Sequence, residues 1–195
     1  MKSQQKKGRR CFKRRPVQYL AIFLLLIFFR GALFRLTVSY EVINSRRHSV
    51  SSELKKSFLS LLDEEKALPD ISELSVTALR ITADSLRFST KVSGARIVSR
   101  EGRRYANCIG YARLYDEELG DLLDKHGLGG RYQLHRVVGK LRVLGLDIHR
   151  LIDDPFFRDH DFNLIEDRLT GELIAVDPGL YDYLGIRRVR LPWGG

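Results

Sequence analysis

Cysteine is scarce in this sequence of 195 residues, which holds only Cys11 and Cys108. The two lie far apart, and the five histidines are scattered along the chain. A zinc site needs Cys and His ligands in short, repeated spacings, and no such spacing is present. We therefore expect no metal ion, and no motif in the sequence calls for another cofactor.

Acidic residues are absent from residues 1–40, which hold ten of the 34 Lys and Arg residues. The rest of the chain consequently carries 24 basic and 24 acidic residues, so the net charge of +10 belongs to one end. A nucleic-acid-binding domain would place such an excess on its folded part. We expect no nucleic-acid partner.

A long apolar run is also missing. The uncharged stretch 17–29 has thirteen residues, and at ~1.5 Å per residue it is shorter than a ~30 Å hydrocarbon core. It fits a cleaved signal peptide, a buried core helix or an uncleaved anchor that continues to Leu36. We favour the anchor, because no small-residue cleavage site follows and a core helix has no use for a dense basic flank. Arg30 and Arg35 would then reach towards the far interface.

Basic residues remain on the cytoplasmic side of a membrane, which places the C-terminal part in the periplasm or outside the cell. Cys11 and Cys108 would then lie on opposite sides and could not pair. Cys108 would be a lone thiol in an oxidising compartment. The predicted organisation is a basic cytoplasmic tail (1–16), a single-pass transmembrane signal anchor (17–38), a polar linker (39–50) and a domain (51–195) with its core at 75–185.

Helical patterns precede strand patterns in the predicted domain. Apolar residues recur at helical spacing over 52–63, 75–89 and 108–126. Extended patterns follow at 131–138, around 143–144, and at 160–165 and 172–176. Helices that precede a run of strands indicate an α+β fold, with the helices packed on an antiparallel sheet.

Cys108 is predicted to lie where a loop enters a helix. Asn107 can cap that helix, and Gly127 can end it. The positive end of the helix dipole favours the thiolate, which is the nucleophilic form of cysteine. The alternative is that Cys108 is a small buried hydrophobic residue, as most lone cysteines are.

A thiol nucleophile needs a base, and the base needs a group that orients it. His160 begins one strand of a predicted hairpin, and Asp177 ends the other. A tight turn at 168–171 would bring these two ends together, so that a carboxylate could hold one nitrogen of the imidazole ring. The sequence around the other histidines gives no comparable reason to choose one of them as the base: His48, His126, His135 and His149.

The order of Cys108 at a helix start, 160–165 (His-Asp-Phe-Asn-Leu-Ile) and 174–178 (Ile-Ala-Val-Asp-Pro) resembles the transglutaminase-like superfamily of papain-type thiol enzymes. The resemblance covers roughly residues 75–185. It implies that Cys108 is the nucleophile, His160 the general base and acid, and Asp177 the orienting residue.

The resemblance also implies an oxyanion hole, formed by the backbone N–H of Cys108 and a second donor from Tyr105 or Asn107. The sequence departs from the family pattern at two positions. Asn107 stands where the family often has Trp, and Asn163 stands where it often has an acidic residue. The family's acceptor selectivity is therefore not carried over.

These features predict a membrane-anchored enzyme that cleaves a peptide or amide bond of a peptide or protein substrate through a thioester. Hydrolysis is favoured over transamidation. The competing interpretation is an inactive scaffold of the same fold that binds a peptide or a partner protein. An acidic run around His160 would suit that scaffold: Asp153, Asp154, Asp159 and Asp161.

Overall fold

The computed structural model describes residues 15–45, 69–150 and 160–192. The predicted helix over 52–63 lies outside these ranges. The helices are α1 (Arg15–Phe28), α2 (Arg30–Thr37), α3 (Ile71–Ser85), α4 (Cys108–Lys125) and α5 (Pro178–Leu184). The strands are β1 (Val38–Ser45), β2 (Arg87–Phe88), β3 (Val98–Arg100), β4 (Arg103–Ala106), β5 (Tyr132–Val143), β6 (Leu146–Asp147), β7 (His160–Asp167) and β8 (Leu173–Val176).

The segment predicted as one anchor helix over 17–38 forms two helices. Gln18–Phe28 and Arg30–Thr37 are bent by 68° relative to each other at Phe29. Among the described residues, no single helix has both the length and the apolarity to cross a membrane, whereas this bent pair has them jointly. Thr37 is the last residue of α2, and the chain passes directly into β1.

The prediction of a linker over 39–50 is wrong up to residue 45, because these residues form β1. This strand pairs antiparallel with β5, and Tyr40 lies opposite Leu141. The stretch alternates Val38, Tyr40 and Val42 with polar residues, which is the period of a strand. The N-terminal segment is therefore joined to the domain through a strand at the edge of the main sheet.

The main sheet has the order β1-β5-β7-β8, with β6 also paired to β5. All its pairs are antiparallel, which confirms the predicted α+β class with helices and an antiparallel sheet. A second, small sheet has the order β2-β4-β3, with β2 and β4 parallel. The predicted strand at 131–138 and the extended piece around Val143 belong to one strand, β5, which ends at Val143. Leu144 lies in the following turn, with a positive φ.

Helix α4 packs between α3 and the main sheet, and apolar side chains from all three fill the space. Leu119 and Leu123 of α4 meet Leu79 of α3 and Ile165 of β7 there. A second cluster lies around Tyr40, Val137, Phe162, Leu164, Ala175 and Val189. The predicted inward positions of α4 are confirmed, since Leu114, Leu119 and Leu123 are buried and Leu122 is partly buried.

Side-chain caps decide where the helices begin. Helix α3 starts four residues before its predicted first residue, because the Asp70 side chain accepts a hydrogen bond from the N–H of Ser72. Asp177, which was predicted to end a strand and to orient His160, also caps α5 by accepting a hydrogen bond from the N–H of Leu180. Pro178 occupies the first turn of α5, where its missing N–H costs nothing.

Candidate active site

Cys108 is the first residue of α4, as predicted. The Asn107 side-chain oxygen accepts a hydrogen bond from the N–H of Gly110 at 3.1 Å, which caps the helix. Gly110 lets the preceding strand come close, since a Cβ there would stand 2.7 Å from Cβ of Ala106. The cap and this close packing fix where the sulfur of Cys108 lies, and the residue is half-buried.

His160 and Asp177 meet at one end of the β7–β8 hairpin, as their positions in the sequence predict. Nε2 of His160 and Oδ2 of Asp177 are 2.6 Å apart. The carboxylate therefore holds one ring nitrogen and leaves Nδ1 for another partner. The His160 side chain is 13% exposed and that of Asp177 only 2%.

The carboxylate of Asp177 accepts three hydrogen bonds. Besides His160, the hydroxyl of Tyr40 donates to Oδ2 at 2.7 Å and the N–H of Leu180 donates to Oδ1 at 3.0 Å. Burial alone would raise the pKa of Asp177, but the charge of His160 and these donors outweigh it and lower the pKa. Asp177 is thus held as a carboxylate.

His160 is held in its protonated form. Burial lowers its pKa, but the charge and hydrogen bond of Asp177 act the other way, joined by the hydrogen bond and charge of Cys108. The net effect raises the pKa of His160 to about 10. A raised pKa favours the imidazolium form of the ring at neutral pH, with Asp177 bound at Nε2.

A second carboxylate lies close to the thiol. Oδ2 of Asp161 is 4.0 Å from Sγ of Cys108, and the thiol is placed to donate to it. Sequence reasoning placed Asp161 in an acidic run around His160, and its neighbours Asp153, Asp154 and Asp159 lie outside the described residues.

Tyr40 is the residue of the site that sequence reasoning missed. Its ring stands edge-on to that of His160, with centroids 5.8 Å apart, and it is 1% exposed. Burial raises its pKa well above the usual value, with the Asp177 charge adding to the effect, so the hydroxyl keeps its proton. The alternation of apolar and polar residues over 38–42 does predict a strand. It does not predict the strand with which this one pairs, which lies about a hundred residues further along the chain.

An apolar pocket of about 460 Å³ adjoins the same two side chains. His160 and Asp177 form part of its wall, next to Tyr40. The rest of its lining is almost wholly hydrophobic: Phe34, Val38, Phe88, Leu141, Val143, Ile148, Leu180, Tyr183 and Leu184, together with Gly179.

The two candidate oxyanion donors have different positions. The Asn107 side-chain oxygen accepts the cap hydrogen bond, and its amide N–H group is the part that could donate to an oxyanion. Half-buried Tyr105 lies on β4, opposite Val98. The backbone N–H of Cys108 belongs to the first turn of α4, whose N–H groups have no partner inside a helix. Behind them, buried Asn163 of β7 donates to the carbonyl of Ala112 at 2.9 Å and holds α4 on the sheet.

Over residues 15–45, 69–150 and 160–192, no three His, Cys, Asp or Glu side chains are grouped so that they could hold a metal ion. Two further histidines lie outside the candidate site and have structural roles. His126 caps the end of α4, and His135 pairs with Glu166 at 2.9 Å.

We compared the chain with models of known protein families, with curated proteins and with solved structures. None of the three comparisons finds a match. The geometry of the site is therefore what bears on its function.

Proposed function

We propose that this protein is a transglutaminase-like thiol enzyme of the papain type, acting on peptide or amide bonds through Cys108, His160 and Asp177. One observation carries the proposal. Cys108, at a capped helix start, contributes a hydrogen bond and a charge to His160, whose Nε2 lies 2.6 Å from Oδ2 of the buried Asp177 carboxylate. This is the arrangement that a nucleophile, its base and the orienting group of that base require.

In the proposed acylation step, the Cys108 thiolate attacks the carbonyl carbon of the amide and a C–S bond forms. The backbone N–H of Cys108 stabilises the oxyanion. The His160 imidazolium then protonates the leaving nitrogen as the C–N bond breaks. Loss of the thiolate charge removes one of the influences that raise the pKa of His160, so the ring becomes a better acid at the moment it must give up its proton.

Deacylation completes the cycle by hydrolysis. Water attacks the thioester carbon, and His160 accepts the proton that the water loses. The C–S bond breaks, so the thiolate and the imidazolium are restored. Asp177 stays ionised throughout and keeps the ring oriented. The pocket beside His160 favours a peptide that places an apolar side chain next to the bond that is cut.

The proposal includes a membrane. The apolar side chains of α1 are exposed on all its sides, among them Leu20, Phe23 and Leu26. A helix that is apolar all round needs an apolar environment, and α1 with α2 would supply the anchor. The basic tail then stays cytoplasmic, and the domain lies in the periplasm or outside the cell.

Alkylation of Cys108 tests the proposed triad. The full chain, with Cys11→Ser, is solubilised in detergent, and its rate of reaction with iodoacetamide is measured from pH 4 to 9. We expect rapid reaction at pH 6, and a loss of about tenfold or more in His160→Ala, because the imidazolium no longer favours the thiolate.

The control variant is His126→Ala at the exposed end of α4, which should react like the parent. Urea titration of each variant confirms that it is folded at the start. If Cys108 reacts only after unfolding, the proposed enzyme is wrong.

One observation favours the second candidate, an inactive scaffold that binds a peptide or partner protein. The Asp161 carboxylate, 4.0 Å from the sulfur, disfavours the thiolate. A thiol that is unreactive in the folded chain, together with peptide binding in the pocket, would support the scaffold.

A further inference from the structure

A second, larger groove of about 850 Å³ lies away from the proposed triad. Its walls come from α2, from α3 and from the segment that follows α5. The charged side chains that line it are four guanidinium groups, Arg35, Arg80, Arg187 and Arg188, and one carboxylate, Glu73. Ser72, Ser75 and Thr77 also line it. The hydroxyl of Ser75 is hydrogen-bonded to that of Tyr115, and the hydroxyl of Thr77 donates to the carbonyl of Glu73.

Among the described residues, none of these four arginines forms a salt bridge with an acidic side chain. Arg188 donates to the hydroxyl of Ser72. Arg80 of α3 and Arg187 are both exposed, and exposed Arg35 comes from α2. Within the described part of the chain, none of these last three forms a salt bridge or a side-chain hydrogen bond. Unneutralised like charges around one groove repel each other, and a bound anion relieves that repulsion.

The groove is held together by Arg30 at the start of α2. Its guanidinium donates to the carbonyl of Leu184, at the end of α5, and to the carbonyl of Ile27 in α1. A Cβ at Gly185 would stand 3.0 Å from Nη2 of the same side chain. Arg30 thus ties the segment 185–188 to the bend between the two apolar helices and adds a fifth positive charge beside the groove.

The position of the groove beside the apolar helices indicates which kind of molecule carries the anion. Gly31 and Arg35 of α2 form one wall, and α2 follows α1, whose apolar side chains are exposed, after a single residue. Basic residues next to an apolar membrane segment lie at the level of the lipid headgroups. The volume is also many times that of a small ion, since one water takes up only ~30 Å³ of liquid.

We propose that this groove binds the phosphate-bearing headgroup of an anionic phospholipid. Guanidinium groups form paired, charge-assisted hydrogen bonds with phosphate oxygens, and the hydroxyl of Ser72, which accepts from Arg188, can donate its own proton. Bound lipid would fix the domain against the membrane surface. The inference rests on the membrane part of the proposed function and is independent of the triad.

Short-chain lipids test the groove without a bilayer. The full chain in an uncharged detergent is titrated with dihexanoyl phosphatidylglycerol, with dihexanoyl phosphatidylcholine and with inorganic phosphate at equal ionic strength, and Tm is recorded. We expect phosphatidylglycerol to raise Tm by about 3 °C near saturation, and the other two to raise it by less than about 1 °C.

Arg80→Gln with Arg187→Gln should abolish the rise, because both side chains are exposed and line the groove. Arg103→Gln with Arg104→Gln, on exposed β4, removes the same charge elsewhere and should leave the rise intact. The proposal is overturned if phosphatidylcholine or phosphate gives an equal rise, if the groove variant keeps it, or if the β4 variant also loses it.

Flotation of the chain on pure phosphatidylcholine vesicles is measured separately. That result reports on the anchor formed by α1 and α2, whereas the Tm series reports on the groove. A chain that fails to float but still responds to phosphatidylglycerol would contradict the anchor and leave the headgroup site standing.

Discussion

Two carboxylates lie in the candidate site, one paired with His160 and the other facing the sulfur of Cys108. Asp177 is paired with His160 and accepts a hydrogen bond from Tyr40, and its charge favours the imidazolium form of His160. Asp161 faces the sulfur directly, with its Oδ2 at 4.0 Å from Sγ of Cys108. In the proposed mechanism Asp177 supports the base, whereas the charge of Asp161 would repel a thiolate on Cys108.

Neutralising Asp161 should therefore activate Cys108. Two unit charges 4 Å apart repel each other by ~1 kcal/mol in water, which corresponds to about fivefold in an equilibrium. We expect Asp161→Asn to increase the rate of iodoacetamide alkylation at pH 6 by about fivefold, in the chain with Cys11→Ser. Asp84→Asn, an exposed change on α3, is the matched control. An unchanged rate in Asp161→Asn would mean that the carboxylate does not act on the sulfur.

At the scale of secondary-structure elements, the site depends on the close approach of three strands. Gly139 of β5 pairs with His160 of β7. A Cβ at Gly139 would stand 2.6 Å from Cε1 of Phe162 and 2.9 Å from the carbonyl oxygen of Glu41 on β1. The missing side chain lets β1, which carries Tyr40, lie close enough to complete the site.

Gly139→Ala should destabilise the fold by about 1–3 kcal/mol, because one of the two clashing atoms belongs to the backbone and the core is tightly packed. Gly120 in α4 is the matched control, since a Cβ there would meet nothing within 4 Å. Gly120→Ala should stabilise the protein by roughly 0.5–1 kcal/mol through helix propensity. Urea unfolding measures both, and equal effects of the two substitutions would contradict the packing argument.

At the scale of the whole molecule, the His160–Asp177 pair links stability to pH. The folded-state pKa of His160 is raised from 6.5 to about 10. The stabilisation that His160 gives to the folded state is therefore complete below about pH 6.5 and is lost as the pH rises through 10. The pKa of Asp177 is lowered from 3.8. The stabilisation that Asp177 gives to the folded state is therefore complete above pH 3.8 and is lost as the pH falls through the lowered pKa. The pair is therefore most stabilising at mildly acidic pH.

Urea unfolding from pH 6 to 10.5, of the parent chain and of His160→Gln, measures this linkage. Because Asp177 stays ionised over that range, the difference in unfolding free energy should shrink by a few kcal/mol, or about 1.4 kcal/mol for each pH unit crossed. Parallel curves for the two proteins would show that the charge of His160 does not contribute to folding.

The sequence by itself determined the features that depend on near neighbours in the chain. Asn107 and Gly127 delimit α4 because caps act within one turn. His160 and Asp177 could be paired in advance, since a short turn brings the two ends of a hairpin together. The α+β class followed from the order of helical and extended patterns.

Only the tertiary structure decided the features that depend on distant segments. The pairing of β1 with β5 brings Tyr40 to Asp177 across the chain, and the pattern of one strand does not name its partner. Packing of distant segments also brings Asp161 close to Cys108. It likewise brings arginines from three separate segments to one groove. Contacts of this kind are set by how elements pack together, and the spacing of residues along the chain carries no direct record of that packing.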